Sequence, residues 1–258
     1  MTILEKIFAT KRDEVALARQ VISVEELRAR AAAFEPRGFR AALVAAAKPG
    51  LIAEVKKGSP SMGEIRADFD PVAIARSYER AGATCLSVLT DVQYFQGSPT
   101  YLREVRAAVS LPLLRKDFVF DTYQLDEARA WGADCVLLIV AGLEQGRLTD
   151  LYHEAKHRLL DVLVEVHDEA ETEFAVALGA DMIGINNRDL RTFKTDLSTT
   201  SRLIQLIPEG VLRVSESALE SADDVRAVHE MGADAVLIGT AFCASPDIEG
   251  KVREVMGR

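Results

Sequence analysis

Glu54 and Lys56 are the first residues along this chain whose types and spacing suggest chemistry. They lie in LIAEVKKGSPS (51–61), where an apolar run of Leu51, Ile52, Ala53 and Val55 gives way to a Gly-Ser-Pro-Ser turn. In a β-strand, residues two apart point to the same face. The acid and the base therefore project together from the C-terminal end of a strand that otherwise reads as buried on both sides. Burying charges in this way costs several kcal/mol unless they are paired, roughly. Groups held like this are candidates for acid–base work. A buried structural ion pair is the alternative, and this strand alone does not decide between the two.

The pattern recurs along the chain. In LPLLRKD (111–117) Lys116 ends the apolar run, in DVLVEVHD (161–168) Glu165 does, and in MIGINNRDL (182–190) the run ends with Asn186, Asn187 and Arg188. VLRVSES (211–217) closes on Glu216 and Ser217, and VLIGT (236–240) on Gly239 and Thr240. Polar residues thus gather at one end of short Val/Leu/Ile runs, and helical patterns follow. In a parallel barrel the C-terminal strand ends open on one face, where active sites form.

The elements needed to position these residues are also legible. AGATCLSVL (81–89), WGADCVLLI (131–139), LGADMIGIN (178–186) and MGADAVLIG (231–239) repeat one form: a helix end, a Gly-Ala turn and an apolar strand. Glycine suits the left-handed residue that ends a helix. Strands are expected near 51–57, 85–90, 113–117, 135–140, 161–166, 182–186, 211–215 and 235–239. Helices are expected near 71–81, 99–108, 122–131, 145–157, 169–178, 199–207, 221–231 and 247–256. Strict alternation of strand and helix argues for a parallel sheet. An open doubly wound sheet would call for a Gly-rich phosphate loop after its first strand, and GSPSMG (58–63) is not one. The expected fold is an α/β (β/α)₈ TIM barrel.

Residues 1–50 fall outside the repeat and read as a helical N-terminal extension of one barrel domain, 1–258. Helical spacing covers Ile3–Val21, Val24–Phe34 with Ser23 as N-cap, and Phe39–Ala47. These helices could plug the barrel bottom, pack beside it, or cover the active face.

Composition agrees with one barrel. The chain has 258 residues and is 48% hydrophobic, against about 250 residues for a typical (β/α)₈ barrel. Lys and Arg number 31 against 40 Asp and Glu, a net charge of -9. That argues against a nucleic-acid partner, which calls for a basic patch. No stretch reaches the roughly 18 apolar residues of a membrane span, so no membrane partner is expected. MTILEKIFATKRDEVALARQ (1–20) is too charged to read as a signal peptide. Cys85, Cys135 and Cys243 lack CxxC spacing; the first two read as small buried hydrophobes, in keeping with a reduced, cytoplasmic setting. The expected state is a monomer, with a homodimer as the alternative.

Several motifs together resemble one family. IAEVKKGSPS (52–61), LSVLTDVQYFQGS (86–98), LPLLRKDF (111–118), GADCVLLIV (132–140), LVEVHDE (163–169), GINNRDL (184–190) and VSES (214–217) are similar to indole-3-glycerol phosphate synthase. The resemblance implies a (β/α)₈ barrel of tryptophan biosynthesis. Its substrate would be a phosphosugar-anthranilate, 1-(2-carboxyphenylamino)-1-deoxyribulose 5-phosphate. The product would be indole-3-glycerol phosphate, with release of CO₂ and water. It implies no metal and no organic cofactor.

The residues suit that reaction. An aromatic carbon must attack a ketone whose oxygen gains a proton. Lys116 is the candidate acid, with burial expected to lower its pKa into a useful range, and the resemblance implies the same role. Dehydration needs an acid for the departing hydroxyl and a base for a ring proton; Glu165 and Lys56 are candidates, and the resemblance points to both. Glu54 and Glu216 would orient Lys56 and the substrate hydroxyls. Asn186 can hydrogen-bond a hydroxyl as donor or acceptor. The resemblance implies that Arg188 lies near the site.

Phosphate is expected at Ser217-Ala218 and Gly239-Thr240, because loops after the last two barrel strands commonly bind it, helped by helix N-termini. Ser59 is a further candidate there. GSPSMGE (58–64) is polar and turn-rich and reads as a mobile lid. Phe95, Phe118 and Leu138 are candidate walls for the anthranilate ring. Two positions depart from the family pattern: Ala218 stands where many members carry Gly, and Met62 where many carry Lys. His153 and His157, four apart on an outer helix, have no third ligand nearby in sequence and read as a solvated face. His167 is left without a role.

Two other readings compete. Phosphoribosylanthranilate isomerase, another phosphosugar barrel, uses a Cys and an Asp on early strands, whereas the first strand here ends in Glu54 and Lys56. A binding protein that merely kept the barrel would have no reason to retain these inward charges.

Overall fold

The computed structural model describes residues 2–189 and 194–258. Leu190, the last residue of the GINNRDL motif, lies outside the described residues. Three helices come first: α1 (Ile3–Val21), α2 (Val24–Ala31) and α3 (Phe39–Ala45). Strand β1 (Gly50–Val55) follows, then a small antiparallel hairpin of β2 (Gly58–Ser59) and β3 (Gly63–Glu64). The chain then alternates helix and strand: α4 (Pro71–Arg80), β4 (Cys85–Leu89), α5 (Pro99–Ala108), β5 (Leu113–Lys116), α6 (Thr122–Ala130) and β6 (Cys135–Ile139). It continues with α7 (Gln145–His157), β7 (Asp161–Val166), α8 (Glu169–Ala177), β8 (Met182–Asn186) and α9 (Ser198–Leu203). Last come β9 (Leu212–Glu216), α10 (Ala222–Glu230), β10 (Ala235–Ile238), α11 (Thr240–Cys243) and α12 (Ile248–Val255).

The parallel strands close into a barrel in the order β1-β10-β9-β8-β7-β6-β5-β4, the expected TIM barrel. Local chemistry explains the alternation. Asp70, Ser98, Asp121, Asp168, Ser221 and Asp247 each cap a helix by accepting a backbone N–H. The repeated Gly-Ala turns have the left-handed backbone expected, with φ of 83° at Gly82, 86° at Gly132, 79° at Gly179 and 111° at Gly232. The next residue of the repeat has a task that the sequence pattern did not reveal. Asp134 accepts from the backbone N–H groups of Leu113 and Arg37, both at 2.8 Å, and from Arg106 at 2.7 Å. It thereby ties two strand starts to the segment before α3.

Strand parity sorts the side chains. Ile52, Cys85, Leu114, Cys135, Leu137, Leu163, Met182, Val214 and Leu237 form the interior core with Phe39 and Leu43 of α3. Their neighbours Leu51, Leu86, Leu113, Val136, Leu138, Val164, Ile183 and Val236 pack outward under the helices. The three helices of the extension take different places. α3 plugs the bottom: Phe39 and Leu43 are fully buried, and the Arg40 backbone N–H donates to Asp161 at the start of β7 (2.9 Å). α2 packs beside the barrel on α6. α1 reaches the opposite end, where Lys11 bridges Asp91 (2.9 Å) and Asp117 (3.0 Å) just beyond β4 and β5.

Candidate active site

A cavity of about 250 Å³ opens at the C-terminal ends of the strands. Its wall brings together Glu54, Lys56, Ser59, Phe95, Lys116, Phe118, Glu165, Asn186, Arg188, Glu216, Ser217, Ala218, Gly239 and Thr240. Each is carried there by parity: Glu54, Lys116, Glu165, Asn186 and Glu216 are inward residues on the last turns of β1, β5, β7, β8 and β9. Lys56 lies just past β1, which ends at Val55 rather than running to 57.

The charges are paired. Lys116 Nζ lies 3.1 Å from Glu165 Oε2 and 2.8 Å from Glu216 Oε2. Lys56 Nζ lies 2.8 Å from Glu54 Oε1. Lys116 is not the lone cation the sequence suggested, and its expected downward pKa shift is corrected. Desolvation does pull the value down, but Glu216, Glu165 and Glu54 together push it further up. Lys116 is thus a firmly held ammonium.

The carboxylates divide. Desolvation raises each, and for Glu165 the ammonium of Lys116 and the imidazole of His167 outweigh it, holding the group well below the usual carboxylate range. Glu54 is likewise lowered: burial opposes ionisation, but Lys56 and Lys116 prevail. Glu216 goes the other way: desolvation and the nearby Glu165 charge overcome Lys116 and push it up to about 7. Its Oε1 is buried without a hydrogen-bond partner among the described residues. Gly184 makes room for that oxygen, since a Cβ there would lie 2.1 Å from it. Gly239 does the same for Glu54, whose Oε1 would be 2.5 Å from an added Cβ.

Leu138 is a correction. It was expected as a ring wall, but it is fully buried and packs outward in the core beneath the helices. Its neighbours Leu137 and Ile139 face inward and line the cavity, with Leu89 and Leu237. Phe95 and Phe118 do line it, with ring centroids 5.9 Å apart, and Phe8 of α1 stands edge-on to Phe118 at 5.9 Å.

The far wall is built for close backbone approach. Ser217 and Ala218 both have left-handed backbones, with φ of 67° and 60°. Gly239 precedes the short helix α11, which the sequence pattern did not anticipate. Asn187 holds this wall: its Nδ2 donates to Ser215 Oγ and the Glu216 carbonyl, both at 3.0 Å, and its Oδ1 accepts from Thr200 Oγ1 at 2.8 Å. It is structural, whereas Asn186 faces the cavity and its Oδ1 accepts from the Arg188 backbone N–H at 3.0 Å. Ser59, Pro60, Ser61 and Met62, in and around the small hairpin, cover one side of the opening, and Met62 is 55% exposed. His153 and His157 are exposed on α7, away from the cavity.

Comparison with known proteins identifies the family. The family model for indole-3-glycerol phosphate synthase matches residues 4–255. The indole-3-glycerol phosphate synthase of Bordetella pertussis (strain Tohama I) is 53% identical over 249 residues, covering 95% of this chain and 95% of its own. That of Laribacter hongkongensis is 50% identical over 250 residues, with the same coverage of 95% on each side. Among solved structures, a tryptophan synthase complex from Pyrococcus furiosus matches with a TM-score of 0.61 at 13% identity, over 81% of this chain and 98% of that one. Thiamine phosphate pyrophosphorylase from Pyrococcus furiosus matches at 0.62 and 16% identity, over 81% and 95%. Those two likenesses concern the fold alone. With the family model spanning nearly the whole chain and two relatives at half identity or better, the chain belongs to the indole-3-glycerol phosphate synthase family.

Proposed function

We propose that the chain carries out its family's reaction in this cavity. The reaction is ring closure, decarboxylation and dehydration of 1-(2-carboxyphenylamino)-1-deoxyribulose 5-phosphate to indole-3-glycerol phosphate. The observation that carries the reading is Lys116 held between Glu165 and Glu216 in a cavity that Phe95, Phe118, Ser217, Ala218, Gly239 and Thr240 also line.

The ring carbon bearing the carboxylate attacks the ketone. Lys116 donates its proton as negative charge develops on the ketone oxygen. A strongly basic ammonium is suited to this, because it remains charged until an alkoxide forms beside it. Loss of CO₂ then returns an electron pair to the iminium and restores the aromatic ring. Once Lys116 has given up its proton, Glu165 loses its strongest cationic neighbour and becomes a better base. Glu165 is then the base for the ring proton in dehydration, and Lys56, oriented by Glu54, is the acid for the departing hydroxyl. Asn186 and Glu216 hold the sugar hydroxyls, with Arg188 at the cavity edge.

The phosphate binds at Ser217-Ala218 and Gly239-Thr240, with Ser59 reaching from the hairpin. The first N–H groups of α11 have no intrahelical acceptor, and the Ser217-Ala218 backbone approaches closely without long side chains. The anthranilate ring lies against Phe95 and Phe118, with Leu137 replacing Leu138 in that role. The hairpin segment closes as a lid. No described helix is long and apolar enough to cross a membrane, and a cytoplasmic monomer fits the reading.

The test is turnover of the carboxyphenylamino substrate followed by indole fluorescence. Fluorescent product formed with release of CO₂ supports the reading. Isomerisation without CO₂, or binding without turnover, overturns it.

A further inference from the structure

Glu165 has a second cation that the reaction scheme above does not use. His167, two residues beyond it, follows the same parity to the cavity end of β7. Its Nε2 lies 3.3 Å from Glu165 Oε1, on the side opposite Lys116, which holds Oε2. Its Nδ1 lies 3.1 Å from Glu171 Oε2. That same oxygen accepts the His167 backbone N–H at 2.8 Å, and the Glu171 backbone N–H is tied to Asp168 at 2.9 Å. The start of α8 therefore fixes one edge of the ring.

Both ring nitrogens thus face carboxylate oxygens. A neutral imidazole carries one N–H, so one of its nitrogens would set a lone pair against an anion. The doubly protonated ring avoids that repulsion: Nδ1 reaches Glu171, and Nε2, sealed from solvent and without a hydrogen bond among the described residues, sets its positive charge 3.3 Å from Glu165, with the side chain 14% exposed. The same arrangement pushes the His167 pKa up to about 10: desolvation opposes the charge, but Glu165 and Glu171 prevail. Other charged groups on the neighbouring cavity wall are Glu5 and Arg12 of α1, Asp168 before α8, Arg188, Asp189, Lys194 and Asp196 past β8, and Arg202 of α9.

We propose that His167 is a positioning residue for Glu165: clamped by Glu171, its imidazolium fixes Glu165 Oε1 so that Oε2 is presented to Lys116 and the substrate. Its importance grows during turnover. When Lys116 has passed its proton to the ketone oxygen, His167 is the cation that remains on Glu165. The carboxylate then keeps its orientation and its charge until it takes the ring proton. The inference rests on the role given to Glu165 above.

His167→Gln removes the charge and keeps a polar group of similar reach. Steady-state turnover across pH 5–9 should show kcat lowered about 10-fold with KM changed less than about 2-fold, the signature of lost transition-state interaction. The loss should hold across that whole range, because Glu165 stays ionised throughout it with or without this neighbouring cation. His167→Lys restores a cation and should recover most of the loss. Glu171→Gln loosens the clamp and should lower kcat by less; it decides the matter if His167→Gln does not fold. Unchanged kcat, a rise in KM with normal kcat, or a His167→Lys variant no better than His167→Gln overturns the proposal. Glu165→Gln is measured alongside. If it keeps normal kcat, the role given to Glu165 is at fault; if it is inactive while His167→Gln is normal, only the role of His167 falls.

Discussion

Replacing Lys11 by Met should show how strongly α1 is tied to the active end of the barrel. Lys11 is 3% exposed, and its ammonium lies 2.9 Å from Asp91, 3.0 Å from Asp117 and 2.8 Å from Glu14. Methionine keeps most of the aliphatic stem, so the loss is chiefly electrostatic. Asp117 would keep Arg115 at 3.1 Å and Thr90 at 2.6 Å. Asp91 Oδ1 would keep the backbone N–H groups of Tyr94 (2.7 Å) and Phe95 (3.0 Å). Asp91 Oδ2, however, is buried with Lys11 as its ion partner and no hydrogen bond among the described residues. Removing one member of a buried pair costs about 3–5 kcal/mol, and the partners that remain place this case near the lower end, about 3 kcal/mol. With an m-value of about 3 kcal/mol/M in urea, the unfolding midpoint should fall by about 1 M. Because α1 carries Phe8 against Phe118 on the cavity wall, KM should rise a few-fold while kcat holds. Urea titration at pH 7 and steady-state kinetics read both effects, with Lys11→Arg as the charge-keeping control. A midpoint shift below about 0.3 M, or a fall in kcat at constant KM, would refute the reasoning.

Three further outcomes are expected. Ala218→Gly relieves a left-handed backbone with φ of 60°; that strain and the added unfolded-state entropy are each about 1 kcal/mol, so stability should stay flat while KM falls about 2–5-fold, and an unchanged KM would count against a phosphate role. Dialysis against a strong chelator should leave the rate unchanged if Lys116 supplies the acid as proposed; a loss restored by one divalent ion would contradict this. Stability should fall as pH rises through neutrality, because Glu216 sits at about 7 and His167 at about 10, both above their unfolded values. The folded state then binds more protons than the unfolded between roughly pH 4.5 and 10, and the slope is negative. In thermal melts, Glu216→Gln should flatten the lower part of that fall and His167→Gln the upper; a rise from pH 5 to 9 would reverse the sign.

Much of the barrel was legible because its elements announce themselves locally. Caps such as Asp70 and Ser98 and the Gly-Ala turns bracket each helix and strand. The inward charges also stood out, since Glu54, Lys116, Glu165 and Glu216 interrupt apolar runs. The failures have a common cause in contacts that no local pattern contains. Lys116 looked isolated because its partners lie 49 and 100 positions away. Lys11 reads as an ordinary charge on a helix, and its burial follows from how α1 meets the loops after β4 and β5. Leu138 was chosen over Leu137 because β6 is apolar on both faces, so hydrophobicity carries no parity there. His167 went unassigned because its role depends on where α8 sets Glu171.

The central claim is that Lys116 and Glu165, at the ends of β5 and β7, act as acid and base, and single-site kinetics test it most directly. Lys116→Met and Glu165→Gln should each lower kcat by about 10²-fold or more, with substrate affinity falling much less and the fold intact by circular dichroism. A folded variant of either kind that turns over the carboxyphenylamino substrate at near-normal kcat would contradict the account.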